Sequence, residues 1–307
     1  MDIQSKPLGV IGLGLLGTAI VERFLDHQNL VVGYDVDAIR REHVRTLGGS
    51  AATEPGDVFS QCDVILLSLP TSDIVASVVE QVPAAVTSSK TFIDTTTGDP
   101  DQMVQLGLLL AGRGAAYVEA NVAGSSQQMR NGTATVFLGG EPSVIEDNTG
   151  IFAVFAPQRI YLGPVGSASR FKLVHNLILG LNRAVLAEGL YFADSLGFSP
   201  AETLSILRET PAASAVMNTK GDKMARREYD LQARLSQHLK DVRLMLQEAS
   251  RARVHLPLSE LHRELLTQAD ALGFGDADNS AIIEAYYAGQ EKRPAPTDHG
   301  RTAGQLR

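Results

Sequence analysis

Three side chains in one short stretch have the types and spacing for proton chemistry. Lys172, His175 and Asn176 lie in the run Gly163-Pro-Val-Gly-Ser-Ala-Ser-Arg-Phe-Lys172-Leu-Val-His175-Asn176. Spacings of three and four put them on one face of a helix, in its first turns. A lysine near a helix N-terminus feels the positive end of the helix dipole. If it is also desolvated, its pKa falls toward the range in which an amine exchanges protons. The alternative is a lysine that runs along apolar surface and brings its ammonium to solvent beside a polar cap. The stretch alone is compatible with both. The Asn176 amide can donate and accept. His175 reads as a packing or capping histidine or as a second polar contact.

The element that must carry these residues starts at the turn of Gly163, Pro164 and Gly166, with Ser167 as a candidate N-cap and Gly197 as the C′ residue. Thirty residues without proline at about 1.5 Å each predict a helix of about 45 Å. Phe171, Leu173, Val174, Leu177, Ile178, Leu181, Val185, Leu186, Leu190 and Phe192 surround it with apolar side chains, which predicts burial on every side.

Ahead of it, strands and helices alternate. The apolar run Leu8–Ile11 leads into Gly12-Leu13-Gly14-Leu15-Leu16-Gly17 and then an amphipathic stretch. Strand, glycine turn and helix are the parts of a dinucleotide-binding unit. Gly12 permits the tight turn, Gly14 the approach of a pyrophosphate, and Gly17 close packing of helix on strand. The next strand, residues 30–34, ends in Asp35, where an acid would accept hydrogen bonds from the adenosine ribose. Further strands are expected at 63–68, 91–94, 116–120, 134–138 and 159–161, with a helix over 142–155. Ligands of open α/β sheets sit beyond the carboxyl ends of the strands, which makes Leu69, Pro70 and Thr97 expected cofactor contacts. After Glu119, the small residues from Asn121 to Ser126, including Ala123, Gly124 and Ser125, read as a loop whose backbone N–H groups could hold a carboxylate. Beyond Gly197 only helical patterns follow, at roughly 200–209, 229–253, 257–272 and 278–289; Ser199-Pro200-Ala-Glu202 carries an N-cap, a proline at N1 and an acid at N3. The expected architecture is α/β: a Rossmann dinucleotide-binding domain (1–165), an all-α substrate and dimerisation domain (166–290) entered through a long interdomain helix, and a polar tail (291–307).

Composition narrows the partners. Of 307 residues, 27 are Lys or Arg and 35 Asp or Glu, a net charge of −8, which disfavours nucleic acid or an anionic membrane as a main partner. A single cysteine, Cys62, fits a reducing compartment. No signal peptide is recognised at the N-terminus, and no charge-free apolar run reaches the ~18 residues of a membrane span. A cytoplasmic protein is expected. No His/Asp/Glu cluster has metal-ligand spacing, so no metal is expected.

On these residues the chain resembles the β-hydroxyacid dehydrogenase family, over about residues 7 to 290. The glycine loop Gly12–Gly17, the substrate loop Glu119-Ala-Asn-Val-Ala123-Gly-Ser125 (family pattern D-A-P-V-S-G-G), the segment Gly163–Asn176 with its lysine, and Lys240-Asp241 occur in family order, with Leu69-Pro70 and Thr96-Thr97 where the family has L-P and S-T. The resemblance implies Lys172 as acid/base, Asn176 as a substrate-holding residue and Lys240 near the nicotinamide and substrate. It departs at Asn121, Ala123, Ser125 and Gln128, and at His175, where the family has a first asparagine. The expected activity is NAD(P)-dependent interconversion of a small β-hydroxy acid and its semialdehyde, with NAD preferred over NADP because of Asp35. The alternatives are a same-fold reductase of another carbonyl or imine, or a catalytically weak dinucleotide-binding protein. The expected partners are a small carboxylate or carbonyl substrate and further copies of the chain, as homodimer or homotetramer.

Overall fold

A computed structural model describes residues 6–288. The expected polar tail, 291–307, lies outside the described residues. The chain divides into two compact units: the described parts of Met1–Ile178 with Gln237–Ser259, and of Leu179–Ser236 with Glu260–Arg307.

The first unit is built on one eight-stranded sheet: β1 Leu8–Ile11, β2 Val31–Tyr34, β3 Ser50–Ala51, β4 Val64–Leu67, β5 Thr91–Asp94, β6 Ala116–Ala123, β7 Thr135–Gly140 and β8 Gln158–Tyr161. Their spatial order is β3-β2-β1-β4-β5-β6-β7-β8. All neighbours are parallel except β6 and β7. Strand order reverses direction at β1, the position at which doubly wound sheets open a crevice for ligands. The connecting helices are α1 Leu15–Asp26, α2 Ala38–Thr46, α3 Pro55–Gln61, α4 Ser72–Glu80, α5 Ala84–Thr87, α6 Pro100–Gly112, α7 Ser126–Asn131, α8 Pro142–Asp147 and α9 Thr149–Phe155. They cover both faces. Phe24, Met129, Phe152 and Phe155 pack with Val118, Ala120 and Val122 on one side, and Val58, Phe59, Val79, Met103 and Leu110 with Phe92 and Tyr117 on the other. This is why the central strands read as continuous apolar runs.

Two local expectations change here. The helix expected over 142–155 is broken at Asn148, whose side-chain amide donates to the Val144 carbonyl at 2.8 Å. An asparagine that bonds its own backbone competes with helix continuation. The loop expected from Asn121 is strand as far as Ala123, because Asn121, Val122 and Ala123 pair with Phe137, Val136 and Thr135 of β7.

The long helix, α10, runs unbroken from Ser167 to Ser195, and Gly197 follows at φ +86° as its left-handed terminator. The boundary between compact units falls inside it, after Ile178. Burial on every side is not what the chain provides. Ala168, Leu173, Ala184, Leu186, Ala187, Leu190 and Ala193 are buried, whereas Phe171, Val174, Ile178, Val185 and Phe192 are exposed, Val185 to 69%. A helix packed against its own chain along one stripe leaves the opposite stripe open, and here that stripe is apolar as well.

The second unit contains the rest of α10, α11 Pro200–Arg208, a π-helical turn Met217–Gly221 that leads into α12 Asp222–Arg226, and α14 Pro257–Ala269 from Glu260 onward, whereas α13 Leu235–Arg251 belongs to the first unit from Gln237 onward. A second π-helical turn, Asp270–Phe274, a 3-10 turn Asn279–Ile283 and α15 Glu284–Tyr287 complete it. The helix expected from 229 begins only at Leu235. Residues 229–234 form irregular chain, in which the Gln232 and Ala233 N–H groups donate to Asp278 at 3.1 Å. Asp278 is fully buried and pairs with Lys220 at 2.7 Å. Ser199 caps α11 through the Glu202 N–H, with Pro200 at N1, as its sequence predicts.

Candidate active site

The glycine turn has the shape that its spacing requires. Gly12 adopts φ +93°, and a Cβ there would lie 2.2 Å from the Ser68 carbonyl oxygen; one on Gly17 would lie 1.8 Å from the Gly12 carbonyl oxygen. Both glycines exist because backbone passes against them. Gly14 differs: the nearest atom to a Cβ there is Arg40 Nη1, at 4.0 Å. The backbone at Gly14 is open to an approaching group, and α1 begins there without a side-chain cap. An open glycine at an uncapped helix N-terminus fits an anionic diphosphate. Leu13, Leu15 and Leu16 complete the turn, and the Leu13 N–H donates to Asp35 Oδ2 at 2.7 Å. Asp35 is nearly buried. Its Oδ1 accepts from the Asp37 N–H at 2.9 Å, and Arg40 pairs with Oδ2 at 3.3 Å. A carboxylate has about four acceptor positions, so three donors leave room for a ribose hydroxyl.

The carboxyl ends of β4 and β5 lie alongside. Leu69 N–H donates to Thr96 Oγ1 at 3.1 Å. Lys240, on α13, donates to the carbonyls of Pro70, at 3.2 Å, and Thr97, and pairs with Asp241 at 2.9 Å. The sequence-predicted Leu69, Pro70, Thr97 and Lys240 are therefore one cluster. The same helix is pinned again three turns later, where Arg251 donates to both oxygens of Asp99 at 3.0 Å and to Glu248, and pairs with Asp101. Asp99, Asp101 and Glu248 converge closely enough for a cation, but the Arg251 guanidinium supplies their positive partner.

Lys172 and Asn176 lie on the buried face of α10, each 7% exposed. Lys172 Nζ donates to the Val122 carbonyl of β6 at 2.6 Å. Asn176 Nδ2 donates to Asp241 Oδ2 at 2.9 Å, and its Oδ1 meets His175 Nδ1 at 3.0 Å. His175 also sets its ring edge-on to Phe137 at 5.7 Å, so packing and polar contact are combined in one residue. Asp241, seen in the sequence only as the second letter of a two-residue motif, thus joins Lys240 to Asn176.

The substrate-loop residues are arranged differently. Ala123 ends β6, and Ser125 forms a capping box with Gln128: the Ser125 N–H donates to Gln128 Oε1 at 2.9 Å, and Ser125 Oγ accepts from the Gln128 N–H at 3.2 Å. The Ser125 N–H expected to meet a carboxylate is engaged within the chain. Asn121 donates to the Thr96 carbonyl at 2.8 Å, and its Oδ1 is buried without a hydrogen-bond partner among the described residues.

Ser167 is not the cap of α10. It is the first helical residue, and the N–H groups of Gly166 and Ala168 donate to Glu119 Oε2 at 2.7 and 3.2 Å. Glu119 and Asp94 are ladder partners on neighbouring strands, and both are nearly fully buried. Burial pushes Asp94 up to about 6 against the hydrogen bonds from Thr96 and Tyr117. Burial likewise pushes Glu119 up to about 7, with the Asp94 charge adding to it and the donors at the start of α10 opposing it.

A glycine cradle at a sheet switch point, with a buried lysine and amide beside the strand ends, defines a nicotinamide-dinucleotide oxidoreductase. The family is shown by the sequence itself. Residues 7–163 match the model of the NAD binding domain of 6-phosphogluconate dehydrogenase, and residues 166–286 that of the NAD-binding region of NADP-dependent 3-hydroxyisobutyrate dehydrogenase. The chain belongs to the β-hydroxyacid dehydrogenase family of NAD(P)-dependent oxidoreductases. It is 28% identical to glyoxylate/succinic semialdehyde reductase 1 of Arabidopsis thaliana, over 91% of this chain and 97% of that protein. It is 27% identical to the cytokine-like nuclear factor N-PAC of Anopheles gambiae over 92% of this chain, which spans about half (50%) of that relative's length. Among solved structures, the fold is shared with 3-hydroxyisobutyrate dehydrogenase from Salmonella typhimurium (TM-score 0.85, 19% identity, 91% of this chain and 99% of that one) and with an imine reductase from Pseudomonas sp. (TM-score 0.64, 19% identity, 92% and 100%). No helix of the described residues is long and apolar enough to cross a membrane.

Proposed function

We propose that this protein interconverts a small β-hydroxy acid and its semialdehyde, with Lys172 as the acid/base. The carrying observation is the placement of Lys172: a buried side-chain nitrogen that donates to the Val122 carbonyl of β6, one helical turn from an amide held on both sides. The bound dinucleotide supplies hydride transfer at its nicotinamide. In oxidation, Lys172 as neutral amine takes the hydroxyl proton at Nζ; in reduction, its ammonium returns it. Asn176, with its amide fixed by Asp241 and His175, orients the substrate oxygen. Lys240 sits beside the strand-end carbonyls that flank the nicotinamide position. Gly12, Leu13, Gly14, Leu15, Leu16 and Gly17 hold the diphosphate and Asp35 the ribose. In this reading residues 1–165 serve the dinucleotide and 166–290 the substrate and assembly.

NAD is the preferred cofactor, because Asp35 places negative charge where NADP carries its 2′-phosphate. Repulsion of this kind is worth on the order of 1–3 kcal/mol at an effective dielectric near 20, and the Arg40 pair offsets part of it, leaving a preference of several-fold. Ala123 and the Ser125–Gln128 capping box favour a second reading beside the first, a reductase of a different carbonyl or imine. The exposed stripe Phe171, Val174, Ile178, Val185 and Phe192 recurs at three-, four- and seven-residue spacing, which suits a helix from a second copy; we expect a homodimer or homotetramer, cytoplasmic in location. One experiment tests the reading: purified protein with NAD⁺ or NADP⁺ and a panel of 3-hydroxy acids, or with reduced cofactor and semialdehydes, ketones and cyclic imines, followed by nicotinamide absorbance. Turnover confined to imines would overturn the first reading, and equal kcat/KM for both cofactors the NAD preference.

A further inference from the structure

β6 carries three polar side chains on one face, because side chains of a strand alternate. Tyr117 bonds to Asp94 at 2.9 Å, Asn121 to the Thr96 carbonyl, and between them Glu119 reaches α10. One oxygen, Oε2, accepts from the Gly166 and Ala168 N–H groups. The other, Oε1, meets the Ser169 hydroxyl. Across the ladder stands Gly139, where a Cβ would lie 2.5 Å from Glu119 Oε2 and 3.1 Å from the Ala168 nitrogen. The sheet leaves out a side chain at the one place where the carboxyl group and the helix start meet.

Lys172 follows Ser169 by three residues on the same helix face, and Val122 follows Glu119 by three residues on the same strand. Helix and strand are thus joined twice within one turn: Glu119 to the start of α10, and Lys172 Nζ to the Val122 carbonyl. The first joint sets where the helix begins against β6; the second is the reacting amine. We infer that Glu119 is a positioning residue, whose carboxyl group clamps the first turn of α10 onto β6 and thereby fixes Lys172 Nζ at the strand edge. This rests on the proton-transfer role given to Lys172 above. Displacement of a reacting group by about 1 Å can cost ~100-fold in rate, so a helix start free to slide would not serve.

The clamp works with either protonation state. A carboxylate accepts from all three donors. A neutral acid keeps Oε2 as acceptor for the two N–H groups and donates from Oε1 to the Ser169 hydroxyl, which can accept. Glutamine reproduces that second pattern; alanine abolishes both.

The test compares the full chain with Glu119→Gln and Glu119→Ala. A small amine-methylating reagent is applied without cofactor or substrate, and modification of Lys172 is followed by peptide mass spectrometry, with the exposed Lys6 as internal reference. Glu119→Gln should protect Lys172 as the unaltered chain does. Glu119→Ala should raise its rate about tenfold or more, since all three hydrogen bonds that hold the helix start are lost, with Lys6 unchanged. NAD affinity should stay within about twofold, because the glycine turn is untouched, and kcat should fall about 10- to 100-fold with little change in KM. A folded Glu119→Ala chain with an unaltered Lys172 rate overturns the proposal. If that variant does not fold, Glu119→Leu, which fills the space of the side chain without an acceptor, is read in the same way, and an unaltered Lys172 rate there overturns it. Labelling needs no turnover, so a wrong substrate class leaves its result intact, whereas a protected Lys172 in an active Glu119→Ala chain defeats the clamp alone.

Discussion

The strongest quantitative consequence of the buried Asp94–Glu119 pair is a stability difference that grows with pH. Glu119 titrates at about 7 in the folded chain, against an ordinary 4.5. The folded state therefore binds more protons than the unfolded state between those values. Its stabilising effect is complete below about pH 4.5 and is lost as pH rises through about 7. One pKa unit corresponds to 1.36 kcal/mol, so the loss across this window is on the order of 3 kcal/mol. Glu119→Gln is neutral at every pH and keeps the clamp. It should match the unaltered chain near pH 5 and exceed it by about 3 kcal/mol near pH 8. The difference between the two proteins is the right observable, because other groups slope the other way. His262, held down to about 4 from 6.5 by burial and the Arg183 charge, loses stability as pH falls, but does so equally in both. The chain has no tryptophan, so urea unfolding is best followed by far-ultraviolet circular dichroism at about one-unit pH intervals. A variant advantage that stays flat from about pH 5 to 8, or that shrinks, would refute the assignment of Glu119 as a buried, high-pKa acid.

Three other outcomes are expected. Lys172→Ala should keep NAD affinity and lose about 10²–10⁴-fold in kcat, and Lys172→Arg should not restore it, since arginine does not release a proton near neutrality; a folded alanine variant retaining more than about a tenth of kcat removes Lys172 from the mechanism. Gly14→Ala should fold with a change in stability of under about 1 kcal/mol and bind NAD about tenfold more weakly, whereas Gly17→Ala, which meets the Gly12 carbonyl, should lose about 3 kcal/mol or more; calorimetric binding together with thermal melting separates the two. Lys220→Met leaves Asp278 buried without its ion partner and should cost about 3 kcal/mol, seen in urea unfolding; a cost under about 1 kcal/mol would show that the Gln232, Ala233 and Ser280 donors suffice.

What the sequence made legible was local. The glycine turn, the acid after β2 and the Ser199 cap are each specified within a few residues, and each takes the local form its sequence specifies. Lys172 and Asn176 were legible because a helical period places them together. The cap of α10 was not: its acid lies 47 residues away on β6, so Ser167, the nearest hydroxyl, was the natural but incorrect choice. Asn148 broke a helix that apolar spacing favoured, through one side-chain bond to its own backbone. The exposed stripe of α10 was misread as core because apolar side chains also occur on exposed surface, and their spacing alone does not tell which face the chain buries. The irregular chain at 229–234 follows from Asp278, a fully buried carboxylate whose demand for donors outweighs local helix preference.

The distant cap of α10 also orders events in folding. Bringing Glu119 to Gly166 closes a loop of 47 residues, at an entropic cost on the order of 3 kcal/mol. That closure needs β6 already seated between β5 and β7, since Glu119 is placed by ladders on both sides. The middle of α10 can form early from its own turns, whereas its first turn has no local cap and frays until the sheet is complete. Pulse-labelled refolding should therefore show amides of residues 168–172 protected after those of β5 and β6, and after residues 180–190 of the same helix. A chain whose sheet is still open carries Lys172 on a frayed end, so its Nζ reaches the Val122 carbonyl with the final closure rather than with the helix.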